Sequence, residues 1–332
     1  MLGKLHGTVF YVEWAHDYHI FENILPHLNT PYRIAAKNRA LARELGSRGI
    51  KTMVWPVFPE TLIMARHALH RFPINNIHKI GMMHGPYYFK KMVRAERYIA
   101  FDLYLFTSTA VLNQAREKGI TNGVVGGYPR IDAFRHAETI RQSHLLGMEA
   151  GLPNGKKTLL FTATWDRSGQ SAVHKWIDRL RTLKARYNIV VSLHPMMSKS
   201  IRNKLRSMKG IHVAAQHQLY AYMLLSDILI SDTSSIIAEF CALDKPVITF
   251  SVGQANRLTP DIQAMIRDVS IQISSLEELD GAVEWFEREP GLKKGQREKW
   301  NRLIYQDTKI SHGKMAAEII NGFIRRKGAV RK

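Results

Sequence analysis

Short apolar runs rich in β-branched residues recur along this chain, with helical patterns between them. Six lie in the first half, "GTVFYVEW", "YRIAA", "TMVW", "HKIGMMH", "LYLFT" and "GVVGG", and six in the second, "TLLFTA", "NIVVSLH", "IHVAA", "DILIS", "PVITF" and "VSIQI". Continuous apolar strands that alternate with helices are typical of parallel sheets covered on both faces. The pattern therefore predicts an α/β protein in which a doubly wound parallel sheet occurs twice.

A chain of 332 residues is long enough for two domains, and 45% hydrophobic residues supply a core for each. The turn "GLPNGKK", residues 151–157, clusters Gly, Pro and Asn between a helical pattern and a new strand. We expect two Rossmann-like domains, residues 1–150 and residues 151–332, that face each other across a cleft.

The charge indicates an anionic partner, because 48 Lys and Arg against 28 Asp and Glu give a formal net charge of +20. Nucleic acid, anionic lipid and phosphorylated substrates would all be attracted. The single cysteine, Cys241, excludes an intrachain disulfide framework. The longest apolar stretches, such as "LYAYMLL", are far shorter than the roughly 20 residues of a membrane-spanning helix, and the start does not resemble a signal peptide. We expect cytoplasmic residence.

Polar residues follow three of the predicted strands. His84 ends "IGMMH", His194 ends "IVVSLH", and Ser231 with Asp232 ends "DILISD". Ligands of open parallel sheets bind beyond the carboxyl ends of the strands. Each group alone also fits an ordinary loop or a helix N-cap. Three such groups at equivalent strand ends predict a binding site, with the two histidines contributed by different domains.

The stretch "SDTSSIIAEF" predicts a phosphate cradle. Thr233, Ser234 and Ser235 place hydroxyls beside the N–H groups of the helix "SSIIAEFCAL", where the positive end of the helix dipole favours an anion. The alternative is a capped helix with extra hydroxyls. Glu239 lies four residues beyond Ser235 and is placed to reach a ribose diol, or else it is a solvated glutamate of the helix surface.

Histidines suit proton transfer, because a pKa near neutrality lets them accept a proton from an attacking hydroxyl or hold a phosphate oxygen. Two local pairs have metal-compatible spacing but no companion cluster, so we predict no metal site: His16 with His19, and His67 with His70. The chain has no P-loop, Asp-x-Asp pair or complete dinucleotide glycine fingerprint. These absences disfavour a kinase, an NTPase and a metal-dependent nucleotide-sugar enzyme.

An ordered set of motifs resembles the CDP-glycerol glycerophosphotransferase family, the teichoic-acid and capsule primases and polymerases. The motifs are "HG" at 84, "GYPRID" at 127–132, "TATWDR" at 162–167, "HP" at 194 and "SDTSS" at 231. The later "HGKMAAEII" is similar to a helix start that the family usually writes with Asp-Gly. The resemblance covers the chain from about residue 84 onward. Two motifs depart from the family: "HG" continues with "PYYFKK" instead of Thr-Pro and Lys, and Trp165-Asp166-Arg167 replaces Trp-Arg-Asp.

The resemblance implies a GT-B fold, with residues 1–150 on the acceptor side and residues 151–332 binding nucleotide and ending in a basic helix. It implies a transferase of cell-envelope polymer synthesis that moves an alditol phosphate, glycerol phosphate by default, from a CDP-linked donor to a hydroxyl of a lipid-linked or glycan acceptor, releasing CMP. We expect no cofactor, no metal and no nucleic acid partner. The acceptor places the protein at the anionic inner face of the cell membrane.

On this hypothesis His84 takes the acceptor proton, and His194 stabilises the charge of the departing CMP. The remaining candidates for nucleotide and phosphate binding are Thr164, Ser231, Asp232, Thr233, Ser234, Ser235, Glu239 and Arg130. Arg130 contacts phosphate or forms a structural ion pair, with Asp132 or elsewhere. Two alternatives remain: a GT-B glycosyltransferase that uses a nucleotide sugar, and a noncatalytic protein that binds polyanions or membranes through its charge.

Overall fold

The structure is a computed structural model that describes residues 6–87, 94–152, 155–253 and 258–330, with side chains described to residue 327. Two predicted features lie partly outside the described residues: the "YFKK" that follows the first motif, and the Pro-Asn of the turn at 151–157.

Thirteen strands form two sheets within these residues. They are β1 (Thr8–Val12), β2 (Tyr32–Ala36), β3 (Met53–Val54), β4 (Thr61–Met64), β5 (His78–Met82), β6 (Leu103–Phe106), β7 (Gly123–Val125), β8 (Thr158–Ala163), β9 (Asn188–Leu193), β10 (His212–Ala214), β11 (Ile228–Ser231), β12 (Val247–Phe250) and β13 (Ser270–Ile273).

The helices between the strands are mostly short. They are α1 (Tyr18–Phe21), α2 (Arg39–Gly46), α3 (Glu96–Ile99), α4 (Thr109–Glu117), α5 (Ala137–Glu149), α6 (Val173–Trp176), α7 (Leu180–Leu183), α8 (Lys199–Arg206), α9 (Leu219–Leu225), α10 (Ile236–Cys241), α11 (Pro260–Val269), α12 (Leu279–Arg288), α13 (Lys294–Tyr305) and α14 (His312–Val330). The side chain of Asn38 caps α2 and that of Ser108 caps α4, each by accepting a backbone N–H of the first turn.

Both sheets are parallel throughout and share one order over six strands, to which the first sheet adds β7 as a seventh. The first runs β3-β2-β1-β4-β5-β6-β7 and the second β10-β9-β8-β11-β12-β13. The predicted α/β class with two doubly wound sheets is therefore confirmed. In each sheet the strand order reverses once, at β1/β4 and at β8/β11, and a reversal of this kind is where doubly wound sheets hold their ligands.

One strand was not predicted from the sequence. Each of the twelve predicted runs contains an observed strand, but β4, "TLIM", lies outside all of them. Periodicity alone does not distinguish a short continuous apolar run of this kind from a buried helix segment. β4 is nevertheless fully buried between β1 and β5, and it forms one side of the reversal in the first sheet.

The compact units of the chain differ from the predicted ranges 1–150 and 151–332. The described residues up to 132 and those from 303 onward form one unit, and residues 133–302 form the other. α5 lies in the second unit, where the ring of Phe134 just before it lies 5.0 Å from that of Tyr220, and Gly147 within it packs against Leu225. The helix therefore extends the second unit, although it precedes the predicted boundary.

The basic C-terminal helix α14 belongs to the first unit and not, as predicted, to the nucleotide-binding half. Its apolar face joins the core of the first sheet through Ala316, Ala317, Ile320 and Phe323. At its start, the carboxylate of Asp132 accepts the backbone N–H groups of His312 (3.1 Å) and Gly313 (2.7 Å). A carboxylate at this end of a helix accepts hydrogen bonds from otherwise unpaired N–H groups and interacts favourably with the positive end of the helix dipole.

Two of the sequence motifs meet at this helix start. The backbone N–H of Tyr128 donates to Nδ1 of His312 at 3.1 Å. Gly127 has a φ of +75°, and a Cβ at this position would lie 2.4 Å from the same nitrogen. The motifs "GYPRID" and "HGK" therefore contain residues that join α14 to the first sheet.

Gly313→Ala should destabilise the protein by about 1–3 kcal/mol, because the added Cβ would lie 1.9 Å from the backbone oxygen of Asn23 and overpack the contact between α14 and the chain at Asn23. Gly322→Ala in the same helix is the matched control. Its Cβ would meet only the end of the Arg326 side chain at 3.5 Å, so the helix should gain about 1 kcal/mol. Urea denaturation of both variants measures the difference, and equal stability would contradict the packing described here.

Candidate functional site

The carboxyl ends of β8 and β11 are joined by a hydrogen-bonded cluster around Asp232. The Asp232 side chain is buried, at 1% exposure. Its carboxylate accepts the backbone N–H of Thr164 at 3.0 Å, the Thr164 hydroxyl at 2.9 Å and the backbone N–H of Ala172 at 3.0 Å. It also accepts the N–H of Thr233. Asp232 thus ties together the loops on both sides of the strand reversal.

Burial raises the pKa of Asp232, while hydrogen bonds from Ala172, Thr233 and Thr164 oppose the shift. Both carboxylate oxygens already accept hydrogen bonds, so the arrangement is that of a clamp. The hydroxyls that it positions belong to Thr164 and Thr233, which lie 3.1 Å apart and are half-buried. These two side chains are the members of the cluster that a ligand beyond the strand ends can reach.

Ser231 lies deeper than its neighbours. Its side chain is buried at 1% exposure, and its hydroxyl accepts a hydrogen bond of 2.9 Å from the hydroxyl of Thr162. The sequence places Ser231 in the same polar stretch as Thr233, but the structure places it within the sheet.

The predicted cradle forms a turn before α10, and this helix begins at Ile236, later than predicted. Thr233, Ser234 and Ser235 occupy the turn and are half-buried. Ser235 is the N-cap residue, and its side chain makes no capping hydrogen bond in the described structure. The Ser235 hydroxyl therefore does not act as an ordinary helix cap.

Glu239 is buried, with 2% of its surface exposed. A glutamate of the solvated helix surface would be exposed, so this alternative is wrong for Glu239. Charged side chains are seldom fully buried unless they are paired.

His194 directly follows β9 and is half-buried. Its Nδ1 accepts the backbone N–H of Met196 at 3.1 Å. In the neutral ring the proton therefore resides on Nε2, and His194 can donate a hydrogen bond through that nitrogen. This is the polarity required to hold a phosphate oxygen.

A cavity of about 520 Å³ lies in the same unit, just beyond His194. It combines an aromatic ring, two cations and two hydroxyls: its lining residues are Trp165, Arg167, Met196, Met197, Ser198, Lys199 and Ser200. Asp166 fixes one wall, because its carboxylate accepts the backbone N–H of Ser198 at 2.9 Å. The motif "TATWDR", one of the two that depart from the family pattern, therefore contributes Trp165 and Arg167 to the wall of this cavity.

The other two predicted residues lie in the first unit. His84 follows β5 and is exposed. Arg130 lies in a 3-10 turn, Pro129–Arg135, and is buried at 8% exposure, with Nη1 at 3.5 Å from the Tyr128 hydroxyl. The structure therefore groups the candidate residues by unit: His84 and Arg130 in the first, and the other eight in the second.

The strand reversal of the first sheet carries residues that the sequence did not single out as a site. Asp17 follows β1 and Arg66 follows β4, and Nε of Arg66 lies 2.8 Å from the Asp17 carboxylate. His16 also contacts Arg66. The sequence did not point to Arg66 because β4 was not predicted as a strand, so Arg66 was not identified as a polar residue that follows one.

In the part of the chain that the structure describes, no three His, Cys, Asp or Glu side chains converge as metal ligands. Among the described helices, none is both long enough and apolar enough to cross a membrane.

Comparison with known proteins supports the motif resemblance. Residues 105–256 match the model of the CDP-glycerol:poly(glycerophosphate) glycerophosphotransferase family. The resemblance predicted from the sequence is thus confirmed, and the matched segment contains all eight candidate residues of the second unit together with Arg130.

Two curated relatives act in teichoic acid synthesis. The chain is 30% identical over 185 residues to a teichoic acid glycerol-phosphate primase of Bacillus spizizenii. This match covers 50% of this chain and 47% of the relative. The chain is 26% identical over 221 residues to the teichoic acid ribitol-phosphate polymerase TarK of Staphylococcus aureus, covering 60% and 40%. The matched part is thus less than half of each relative.

A solved structure matches nearly the whole chain. It is a variant of the wall teichoic acid polymerase TagF soaked with CDPG, with a TM-score of 0.70 and 14% identity, covering 98% of this chain and 89% of that chain. At this identity the likeness shows the fold, and the predicted GT-B class is confirmed.

Asp232→Asn should destabilise the second unit by about 2–3 kcal/mol. The amide keeps one acceptor oxygen and turns the other position into a donor, which would face the donors of Thr164 or Ala172. Asp178→Asn is the control, because that side chain is 66% exposed and should change stability by less than about 0.5 kcal/mol. Chemical denaturation followed by tryptophan fluorescence measures both. A stable Asp232→Asn variant would contradict the clamp.

Proposed function

We propose that this protein transfers an alditol phosphate, glycerol phosphate by default, from a CDP-linked donor to a hydroxyl of a lipid-linked or glycan acceptor, and releases CMP. One observation carries the proposal: the family match at residues 105–256 coincides with the polar cluster at the β8/β11 reversal. The relatives named above, which act on glycerol phosphate and ribitol phosphate, support the alditol phosphate as the transferred group.

The second unit offers groups of the right chemistry for a CDP-linked donor. Nε2–H of His194 is a neutral donor for a phosphate oxygen. The Thr233 hydroxyl is a second one, because Asp232 holds the Thr164 proton and only the Thr233 proton can turn from Thr164 to a ligand. Arg167 and Lys199 add positive charge at the cavity, and the Trp165 ring offers a stacking face for a base. Phosphoryl transfer depends mainly on positioning and on electrostatic stabilisation of this kind.

The proposed reaction is a displacement at the distal phosphorus of the donor. The acceptor oxygen forms a bond to this phosphorus, and the bond between phosphorus and the bridging oxygen breaks, so that CMP leaves with the bonding electron pair. The acceptor proton passes to His84, whose exposed ring at the end of β5 is accessible to a substrate. The products are an alditol phosphate ester of the acceptor and CMP.

The setting of the reaction is also part of the proposal. A lipid-linked acceptor would bring the protein to the inner face of the cell membrane as a peripheral protein, and the formal charge of +20 favours an anionic surface. We propose that no metal takes part in the transfer, so activity should persist in EDTA. Loss of activity in EDTA with recovery on adding Mg²⁺ would overturn this part.

The test is to incubate the protein with CDP-glycerol, CDP-ribitol and a panel of UDP- and CMP-sugars, with and without a lipid-linked acceptor, and to identify the released nucleotide. We expect acceptor-dependent CMP from a CDP-alditol. A nucleoside diphosphate from a sugar donor would instead indicate a glycosyltransferase. Binding to anionic vesicles without any turnover would indicate a noncatalytic protein.

His84→Ala should lower kcat by about 10²- to 10⁴-fold, the range for loss of a general base. Stability should change by less than about 0.5 kcal/mol, because His84 is exposed. His70→Ala is the matched control, since His70 is also an exposed histidine of the first unit but does not follow a strand. Equal turnover in the two variants would refute the proton-acceptor role of His84.

A further inference from the structure

The two strand reversals correspond to each other, because the two sheets share one order over six strands. At β8/β11 the loops carry the Thr164 and Asp232 cluster. At β1/β4 the corresponding loops carry His16, Asp17 and Arg66. Since ligands of doubly wound sheets bind at such reversals, the first unit has its own candidate binding position, separate from the residues assigned to the donor.

Arg66 is fixed in place by a buried carboxylate. Its Nε lies 2.8 Å from Oδ1 and 3.0 Å from Oδ2 of Asp17, whose side chain is 1% exposed. The backbone N–H of Trp14 donates to the same carboxylate at 2.9 Å. Burial raises the pKa of Asp17, and the charge of Arg66 opposes that rise. The orientation of the guanidinium group is thus determined by the fold.

Arg66 in turn determines the protonation of His16. Nη2 of Arg66 lies 2.5 Å from Nε2 of His16. A guanidinium group has only donors, so Nε2 must accept, and the ring proton must reside on Nδ1. Burial lowers the pKa of His16 to about 2, helped by the charges of Arg66, Arg130, His84 and His19. His16 is therefore neutral at every working pH and presents Nδ1–H as a fixed donor.

The side chain of His16 is partly accessible. The side chain is 21% exposed, and no described residue is recorded as a hydrogen-bond partner of Nδ1. His84 follows β5, the strand next to β4, and is close enough to influence the charge of His16. A donor with a fixed proton thus lies near the histidine that we assign as proton acceptor.

We propose that His16 is an acceptor-binding residue, whose Nδ1–H donates a hydrogen bond to an oxygen of the acceptor alditol or sugar beside the hydroxyl that His84 deprotonates. Arg66 and Asp17 are positioning residues, which act by holding the tautomer of His16. The inference rests on the proposed function for the identity of the substrate. The tautomer itself follows from the geometry alone.

The first experiment observes the tautomer directly, by NMR of protein with ¹⁵N-labelled histidine. In the wild type His16 should show the Nδ1–H form and should not titrate between about pH 5.5 and 8.5. In Arg66→Lys burial and the positive charge remain but the fixed fork of donors is lost, so His16 should still not titrate in this range, whereas a signal of the Nε2–H tautomer should appear. An Nε2–H tautomer in the wild type would overturn the inference. Asp17→Asn provides a second variant if Arg66→Lys does not fold.

The second experiment compares two amide replacements. The amide nitrogen of Asn occupies roughly the place of Nδ1 in histidine, and that of Gln the place of Nε2. His16→Asn should keep kcat/KM for the acceptor within about tenfold of the wild type, whereas His16→Gln should lose about 100-fold. The loss should lie mainly in KM for the acceptor and leave KM for the CDP-linked donor unchanged. His70→Asn and His70→Gln are matched controls.

The outcomes separate this inference from the proposed function. Equal losses in His16→Asn and His16→Gln, or a change confined to KM for the donor, would show that His16 does not bind the acceptor. Glycerol 3-phosphate serves as a small acceptor probe, and it should shift the Nδ1 signal of His16. If the wild type releases no CMP from any donor, the proposed function fails, while the tautomer and this titration still decide the inference.

Discussion

The candidate site depends on one constraint, the parallel pairing of every strand. Parallel strands place all their carboxyl ends at the same edge of a sheet, so residues that are far apart in the chain converge there. At β1/β4 and β8/β11 the connections leave in opposite directions and open a crevice at that edge. Thr164 and Asp232 are 68 residues apart and Asp17 and Arg66 are 49 apart, yet both pairs are in contact.

A buried aspartate organises each reversal, but by different electrostatics. The charge of Asp232 is balanced by N–H and O–H dipoles from the loops around it, and the result is a positioned pair of hydroxyls. Asp17 is balanced by a full positive charge on Arg66, and the result is a positioned imidazole. In both cases the carboxylate is too buried to meet a substrate itself. Its contribution is to remove rotational freedom from the side chains that can.

Much of the fold was predictable, because twelve apolar runs carried enough β-branched residues to be recognised. β4 was missed because its continuous apolar run does not differ in periodicity from a buried helix segment, and without β4 Arg66 was not seen to follow a strand. For the candidate site, the sequence found Asp232 and Thr164 but not their hydrogen bond, which depends on strand order. It also left open whether Glu239 is solvated, since burial depends on what packs around α10. The position of α14 depends on Asp132, whose role as a cap across the chain has no local signature.

The return of α14 to the first sheet makes the second unit an interruption of the first. The core of the first unit contains residues 316–323, so it cannot be completed until residues beyond 303 have been synthesised. Residues 133–302 have by then all been made and can fold as a unit. During synthesis the sheet that carries His16 and His84 must therefore wait for α14, with the part of its apolar surface that α14 covers still exposed. The unit that holds the first residues of the chain is thus also the one that its last residues complete.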